Sequence, residues 1–309
     1  MELELYKLQQ ESGYPYIVNI DTVNKANPVD GVISMSNLCS EILQVQTPSV
    51  LNDDQTYSTL GTDVACNLGS TNVMNMMTSG ADFGSSIESM VRALTFISET
   101  SNLDSVPTVR KGNNEMRAIG LGAMGLHSFL AKNHIHYDSK AAVDFTSVYF
   151  MLLNYYTLVA SNVLAVERQA TFKDFDKSAY ADGSYFDKYL NHDYFAAVPA
   201  EIQELFAGIA VPGPAEWAAL KEKVMQGGLY NSYRMAVAPN GSISYINDCS
   251  SSIHPIVNRI EERQEKKVGK IYYPAAGLST DTIPYYKSAY DTDMRAVIDV
   301  YAAATEHVD

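Results

Sequence analysis

The stretch SKAAVDFTSVYFMLLNYYTLVASNVLAVERQ, residues 139–169, decides the fold of this chain. Its apolar side chains fall on nearly every side of a helix instead of on one stripe. Such a helix has to be surrounded by other elements, because apolar surface on all sides is unfavourable in water. We therefore predict a long central helix over residues 139–169, against which the rest of the chain packs.

A membrane span is the alternative for the most apolar part of this stretch, Val148 to Val166. Three polar side chains interrupt it, at Asn154, Ser161 and Asn162, and three tyrosines lie within it. A span of this length normally contains few polar groups. The pattern therefore favours a buried helix and no membrane partner.

The composition is that of a globular protein with ample chain for a core. The 309 residues include 22 Lys plus Arg and 36 Asp plus Glu, a formal net charge of −14, and 46% are hydrophobic. Without an excess of positive charge the chain is not expected to bind a nucleic-acid backbone. A small anion remains possible, because one well-built loop can bind a phosphate in an acidic protein.

The cysteines and the two ends of the chain suggest its cellular setting. Cys39, Cys66 and Cys249 are too few for a disulfide scaffold, and their spacing does not suggest a zinc site. The N-terminus is polar and acidic and does not resemble a signal peptide, so we expect a reducing, cytoplasmic location.

The last segment, helical from Asp291, has no glycine cap or proline, and we expect the chain to be cut inside a larger fold.

Elsewhere the pattern predicts a mixture of helices and extended segments. Residues 36–80 are predicted to be extended segments joined by turns, and Met235–Ala238 a short strand. Helices are predicted over 121–131 and, as a charged face, over 256–267.

A further helix is predicted over residues 85–100. Its apolar side chains recur at helical spacing, and Ser85 and Glu88 match the capping-box pattern.

A thiol, an amide and a carboxylate occur together in Asn37-Leu38-Cys39-Ser40-Glu41. If this piece is extended, residues 37, 39 and 41 share a face. The three groups suit chemistry on a polyhydroxylated substrate, in which the sulfur reacts, the carboxylate takes a proton and the amide orients. The alternative is a buried structural cysteine beside solvent-facing Asn37 and Glu41.

The other two cysteines are less informative by themselves. Cys66 lies in ACNLGS, between a strand-like run and a turn, and could be a small buried apolar residue. Whether Cys66 meets Cys39 in space is left open by the sequence. Cys249 has no evident partner and is predicted to be inert.

The segment APNGSIS, residues 238–244, is a candidate phosphate-binding loop. A strand leads through proline into a turn in which glycine allows close approach, while serine and free backbone amides can donate to oxygen. No lysine follows the glycine, so this is not a Walker loop. An ordinary tight turn is the alternative.

The segment GLGAMG, residues 120–125, matches GxGxxG. A dinucleotide site needs a buried strand before the glycines, and residues 113–117 do not predict one. Close packing of helices therefore explains the glycines better, with a nicotinamide or flavin oxidoreductase as the alternative. His134 and His136 lack the neighbours that would complete a metal site, and none is predicted.

Four segments in this order and spacing resemble the large catalytic subunit of class I ribonucleoside-diphosphate reductase, closest to class Ib: SNLCSEI, DVACNLGS, APNGSISYINDCSSSIHPI and YYPAAGLSTDTIPYY. The resemblance covers essentially residues 1–309. It implies an α/β fold, part of a ten-stranded barrel and mainly its second half. A central finger loop would span about 34–48, and the phosphate loop about 238–244.

The resemblance also implies roles for the residues of the finger loop. Cys39 matches the cysteine that carries a transient thiyl radical. Asn37 and Glu41 match the amide and carboxylate that hold and deprotonate the ribose. Leu38 and Ser40 lie in the substrate-binding stretch.

Two further sets of residues match by resemblance. Cys66 corresponds to one member of the redox-active pair that supplies electrons. The loop holding the substrate diphosphate corresponds to Pro239, Asn240, Gly241, Ser242 and Ile243. Asn240 departs from the family, which usually carries Thr, although its amide can also donate to phosphate.

The activity implied is reduction of ribonucleoside diphosphates to 2′-deoxyribonucleoside diphosphates, with no metal or cofactor bound directly. The expected partners are a metal-containing small subunit that generates the radical, a thioredoxin- or glutaredoxin-like dithiol reductant and a polypeptide supplying the missing half-barrel. The alternative is an inactive remnant or partner-binding fragment of that subunit.

Overall fold

The computed structural model describes residues 2–265 and 269–309. The helices are α1 Glu2–Ser12, α2 Ile20–Ala26, α3 Val73–Met77, α4 Phe83–Thr100, α5 Pro107–Met116, α6 Leu126–Lys132, α7 Lys140–Arg168, α8 Asp187–Asn191, α9 Ala200–Leu205, α10 Pro214–Gly227, α11 Ile243–Ile246 and α12 Met294–Thr305. The strands are β1 Val50–Leu51, β2 Tyr57–Thr59, β3 Leu68–Asn72, β4 Gly120–Met124, β5 Ile260–Glu265 and β6 Gly269–Pro274. Short 3-10 turns lie at Gly80–Asp82, Phe175–Lys177, Ser184–Phe186 and Ile283–Tyr285.

Helix α7 is the centre of the core, as predicted. The Ser139 hydroxyl accepts from the backbone N–H of Ala142 at its start, and Gln169 ends it in the left-handed conformation. By length and composition this helix could cross a membrane, but 78% of its most apolar 18-residue stretch is buried inside the protein. The burial fits a core helix of a globular domain.

Helices α4, α10 and α12 pack on α7 through aromatic and polar contacts. Phe83 of α4 meets Tyr149 edge-to-face at 6.0 Å between ring centroids. Trp217 of α10 meets Tyr155 in the same way at 5.0 Å. Just after α12, His307 lies 3.2 Å from the Ser147 hydroxyl. Helix α7 therefore holds α4, α10 and α12 around one core.

Beside this helical layer lies a small parallel sheet. Strands β3 and β4 pair in parallel from Leu68↔Gly120 to Asn72↔Met124. A third extended segment, residues 234–238, follows the other edge of β4, where the Leu121 N–H donates to the Arg234 carbonyl at 2.8 Å. The predicted strand 235–238 is thus present only as a single parallel bridge, Leu121↔Met235.

Glycines set the close spacing of these segments. A Cβ on Gly120 would lie 2.8 Å from that of Ala236, and one on Gly122 would lie 2.1 Å from the Ala236 carbonyl oxygen. The prediction of a helix over 121–131 is therefore wrong for residues 121–124, which form β4. The glycines serve strand packing and do not open a dinucleotide-binding turn.

Helix α4 confirms the predicted helix, but not its cap. It begins at Phe83, the Ser85 hydroxyl donates to the Asp82 carbonyl at 3.0 Å, and Glu88 binds Arg92 at 2.8 Å. Neither side chain satisfies the first backbone N–H groups, so the predicted capping box is wrong.

The predicted helical face over 256–267 is also wrong. Residues 260–265 form β5, which pairs antiparallel with β6, and residues 266–267 lie outside the described residues. The charges that suggested a helix face pair across the hairpin, as Lys270 and Glu262 do at 2.5 Å.

A fully buried ion pair joins the third extended segment to the end of the described chain. Arg234 and Asp309 are both 0% exposed and are in contact. The Asp309 carboxylate also accepts from the backbone N–H of Met235 at 2.9 Å. The Arg234 guanidinium donates to the Tyr180 hydroxyl at 3.2 Å and to Asn154 of α7 at 3.3 Å. One charge pair therefore connects four parts of the fold.

Replacing Arg234 by Met should destabilise the protein by about 3–5 kcal/mol, because Asp309 would remain charged and buried without its partner. The double variant Arg234→Met with Asp309→Asn should lose less, because it removes both charges. Urea unfolding of the three proteins measures the difference. Equal losses for the single and double variants would show that lost packing, and not the unpaired charge, sets the cost.

Candidate active site

The loop that carries Cys39 is a tight turn. The Ser40 backbone N–H donates to the Asn37 carbonyl at 3.0 Å, and Ser40 has a positive φ of 64°. The prediction that residues 37–41 are extended is therefore wrong. The chain reverses direction at Leu38–Ser40. The alternation of side chains along a strand therefore does not apply to residues 37, 39 and 41.

The turn itself brings the amide and the carboxylate together. The Asn37 amide nitrogen donates to a Glu41 carboxylate oxygen at 2.6 Å. Its amide oxygen accepts from the Ile42 backbone N–H at 3.0 Å, and the Ser36 hydroxyl donates to the Ile42 carbonyl at 2.8 Å. The Asn37 side chain thus both closes the loop and orients Glu41.

The tip of the loop is open to solvent. Leu38 is 79% exposed, and the Cys39 thiol is exposed. The alternative of a buried structural Cys39 is therefore wrong.

Cys66 lies immediately before β3, and neighbouring contacts fix its position. The Asn67 carbonyl accepts from the Gly120 backbone N–H at 2.9 Å, and its amide donates to the Leu94 carbonyl at 2.6 Å. The Cys66 side chain is exposed, so the buried alternative is wrong here too.

The electrostatics of Cys66 relate it to the finger loop. Partial desolvation raises the pKa of its thiol, and the negative charges of Glu41 and Cys39 raise it further. These two groups act on Cys66 because the fold brings the finger loop and the start of β3 to one place. Cys39 and Glu41 therefore lie within electrostatic range of Cys66, and these three residues are named the thiol cluster.

Tyr16 is a neighbour of this cluster that the sequence reasoning missed. Its pKa is raised, first by its hydrogen bond with Tyr14 and last by the charge of Cys39. The two tyrosine rings lie 4.9 Å apart. The pattern YPY does not predict this position, because the electrostatic interaction of Tyr16 with Cys39 depends on where the turn at Cys39 lies.

The candidate phosphate loop follows the carboxyl end of the third extended segment. Ligands of parallel α/β sheets bind at that end. Within the described part of the chain, no atom beyond its sequence neighbours lies within 4 Å of the place where a Cβ on Gly241 would be. Among the residues that the structure describes, none accepts from the backbone N–H groups of residues 241–243. Those donors are free to face an anion.

The Asn240 side chain, by contrast, is engaged within the protein. Its amide oxygen accepts from the Ser70 hydroxyl at 2.8 Å, and its amide nitrogen donates to the carbonyls of Ala238 at 2.9 Å and Ala123 at 3.2 Å. Both amide hydrogens are therefore used. The Asn240 side chain is therefore not free to donate to a phosphate, in contrast to the expectation from the sequence.

Cys249 lies behind the loop, and the structure gives it no part in the cluster. Burial, and then the charge of Asp248, raise the pKa of its thiol to about 11. A Cβ on Gly125 would lie 3.3 Å from its sulfur, so the thiol packs against that turn. The low thiolate fraction agrees with the prediction that this cysteine is inert.

The histidines make structural contacts. His134 binds Asp281 at 2.8 Å, and buried His127, whose pKa burial lowers to about 4, accepts from the Ile256 N–H at 2.9 Å. Within residues 2–265 and 269–309, no group of three or more His, Cys, Asp or Glu side chains is placed to hold a metal ion.

A parallel α/β core, an exposed thiol in the turn that orients a carboxylate and an open backbone loop together define an α/β domain with a candidate thiol-based site. The chain belongs to the ribonucleotide reductase family, because the family model "Ribonucleotide reductase, barrel domain" matches residues 1–309. The predicted α/β class is confirmed.

The chain is also similar to several curated proteins named ribonucleoside-diphosphate reductase subunit alpha. It is 44% identical to the protein of Mycoplasma genitalium over 308 residues, 98% of this chain and 43% of the relative. It is 43% identical to that of Bacillus subtilis, over 99% of this chain and 44% of the relative. With Helicobacter pylori the identity is 28%, over 97% and 42%. The chain thus spans less than half the length of these relatives.

Glu41→Gln should lower the pKa of the Cys66 thiol, because it removes a nearby negative charge that disfavours the thiolate. The pH dependence of iodoacetamide alkylation at Cys66, followed by peptide mass spectrometry, measures this pKa. Glu204→Gln on α9, outside the groups that act on Cys66, is the matched control. If the pKa of the Cys66 thiol were unchanged or raised in Glu41→Gln, the charge of Glu41 would not act on Cys66.

Proposed function

We propose that this chain carries the catalytic centre for reduction of ribonucleoside diphosphates to 2′-deoxyribonucleoside diphosphates, as part of a larger or split alpha subunit. The observation that supports it is the cluster of Cys39, Glu41 and Cys66 in one domain with the open loop 238–244. Membership of the family and the names of the relatives support the same reaction.

The reaction begins at Cys39. As a thiyl radical, its sulfur takes the hydrogen atom from C3′ of the ribose, and Glu41 takes the proton of the 3′ hydroxyl as general base. The Asn37 amide, which donates to Glu41 at 2.6 Å, orients the carboxylate toward that proton. The 2′ hydroxyl then leaves as water.

Cys66 supplies reducing equivalents with a second thiol from outside this chain. Each thiol gives one electron and one proton, and the two sulfurs join in a disulfide. The hydrogen atom then returns from Cys39 to C3′, which restores the thiyl radical. Its raised pKa keeps Cys66 protonated at neutral pH, the form that can deliver hydrogen. An external dithiol of the thioredoxin or glutaredoxin kind reduces the disulfide by exchange.

The loop of residues 239–243 binds the diphosphate. Its free backbone N–H groups donate to phosphate oxygens, and exposed Gly241 and Ser242 leave room for the anion. Local donors are needed because the chain as a whole carries a charge of −14, which repels phosphate. Leu38 and Ser40 flank the ribose at the tip of the finger loop.

The proposed assembly includes other polypeptides in the cytoplasm. A metal-containing small subunit generates the radical that reaches Cys39, and another polypeptide completes the barrel. Nucleic acid has no part in the assembly.

Cys39→Ser should abolish turnover in the assembly reconstituted with the complementary polypeptide and the small subunit, because a hydroxyl cannot carry the thiyl radical. Glu41→Gln should slow turnover by about 10²–10⁴-fold, the effect of a lost general base, and weaken diphosphate binding far less. Steady-state kinetics and equilibrium binding measure the two effects.

Cys249→Ser is the matched control, and it should retain turnover. Product formation by Cys39→Ser would sink the proposed chemistry. Equal losses of turnover and binding in Glu41→Gln would assign Glu41 a positioning role instead.

A second candidate is an inactive remnant that only binds partner polypeptides. The observation that favours it is the short span of the chain, 43–44% of its relatives from Mycoplasma genitalium and Bacillus subtilis. Complementation separates the two candidates: a split enzyme regains turnover when the missing part is added, and a remnant does not.

The isolated chain should self-associate, because it exposes apolar side chains near the finger loop: Val32, Met35, Leu38, Val50, Leu51 and Tyr57. Among the described strands, β3 pairs with β4 alone, so its other edge is available to another strand. Sedimentation velocity over a range of concentrations measures the association. Val50→Ser with Leu51→Asn should reduce it, and a clean monomer of the unchanged chain would contradict the prediction.

A further inference from the structure

The phosphate loop contains a dipeptide with its own chemistry. Asn240-Gly241 is the one Asn-Gly pair in the sequence. Asparagine is a thermolabile residue, and glycine after it offers no side chain to hinder attack of its backbone nitrogen on the asparagine amide. We propose that Asn240 is a self-modification site, converted by deamidation to aspartate or isoaspartate, and that the conversion inactivates the diphosphate loop.

The surroundings of Gly241 leave the reaction room. Gly241 is exposed, and no atom of residues 2–265 or 269–309, apart from its sequence neighbours, lies within 4 Å of the place where its Cβ would be. None of the described residues accepts from its backbone N–H. Asn240 itself has a positive φ of 56°, in a turn that no strand pairing holds. Among the described residues the attacking nitrogen therefore has no competing hydrogen bond, and no side chain crowds the Cα of Gly241.

The step balances without an oxidant or a reductant. The Gly241 nitrogen forms a bond to Cγ of Asn240, the bond from Cγ to the amide nitrogen breaks, and ammonia leaves with the proton of the Gly241 N–H. The product is a five-membered succinimide. Water then opens the ring on either side and gives aspartate or isoaspartate.

The hydrogen bonds that anchor the Asn240 amide set the rate of deamidation. Its hydrogen bonds to Ser70, Ala238 and Ala123 hold the side chain in one place, and they have to break before Cγ can meet the Gly241 nitrogen. The folded chain therefore converts more slowly than the same sequence unfolded. Of the described residues, Ser70 alone donates to the amide oxygen, so loss of its hydroxyl speeds the conversion.

The consequence rests on the proposed function. A carboxylate at position 240 places a negative charge beside backbone N–H groups that would bind a diphosphate, and like charges repel. The asparagine amide nitrogen donates to the carbonyls of Ala238 and Ala123. A carboxylate oxygen in its place cannot donate, so it would face these carbonyl oxygens without a hydrogen bond. Isoaspartate further lengthens the backbone of the loop by one carbon.

The first test measures conversion in the purified full chain, incubated at neutral pH and followed by peptide mass spectrometry. Asn240 should convert faster than Asn52, which is also exposed, and more slowly than Asn240 in urea. Ser70→Ala should speed conversion severalfold, while Ser70→Thr, which keeps a hydroxyl, should stay close to the unchanged chain. Asn240→Thr, which has no amide, should form no succinimide at this position.

Circular dichroism checks that each variant is folded. Conversion of Asn240 no faster than that of Asn52 would overturn the proposal. Equal rates in Ser70→Ala and in the unchanged chain would overturn the role of the anchor.

The second test measures binding of a ribonucleoside diphosphate to the reconstituted assembly before and after ageing. The unchanged chain should lose binding in proportion to the fraction converted, whereas Asn240→Thr should keep its own starting affinity. Conversion without loss of binding would overturn the stated consequence. If the fresh, unchanged assembly does not bind the diphosphate, the proposed function fails while the modification site stands on the mass spectra.

Discussion

The buried contact between Arg234 and Asp309 holds together the parts of this fold that surround the site. Both side chains are completely removed from water, so each is tolerable only beside the other and its polar neighbours. The pair joins the third extended segment to the region after α12, and the guanidinium reaches Asn154 in the middle of α7. Because that segment runs directly into the phosphate loop, a charge pair in the core determines where the loop begins.

A second set of polar contacts transmits this order to the site. The Tyr149 hydroxyl of α7 donates to the Thr71 hydroxyl of β3 at 2.9 Å, and Thr71 in turn donates to the Gly122 carbonyl of β4. The adjacent residue Ser70 holds Asn240, while Cys66 lies two residues before the same strand. Strand β3 therefore connects the thiol cluster with the phosphate loop, and the central helix keeps that strand in register.

Long-range packing explains where prediction from sequence succeeded and where it failed. Helix α7 was predictable because apolar side chains on all its sides leave it no stable place except the core. The glycines of residues 120–125 misled, since their cause is the backbone at Ala236, more than a hundred positions away. The hairpin β5–β6 misled because charges that would suit a helix face also pair across two strands. Local pattern does not record which distant backbone a residue will meet.

The sequence by itself determined the family, the central helix and the chemical groups of the site, because these depend on residue types and their order. Only the tertiary structure decided how those groups meet. The turn at Leu38–Ser40 pairs Asn37 with Glu41, the fold places Cys66 under the influence of Cys39, and Ser70 occupies the amide of Asn240. Each of these contacts depends on a backbone reversal or a strand neighbour, and alternation along a single segment predicts neither.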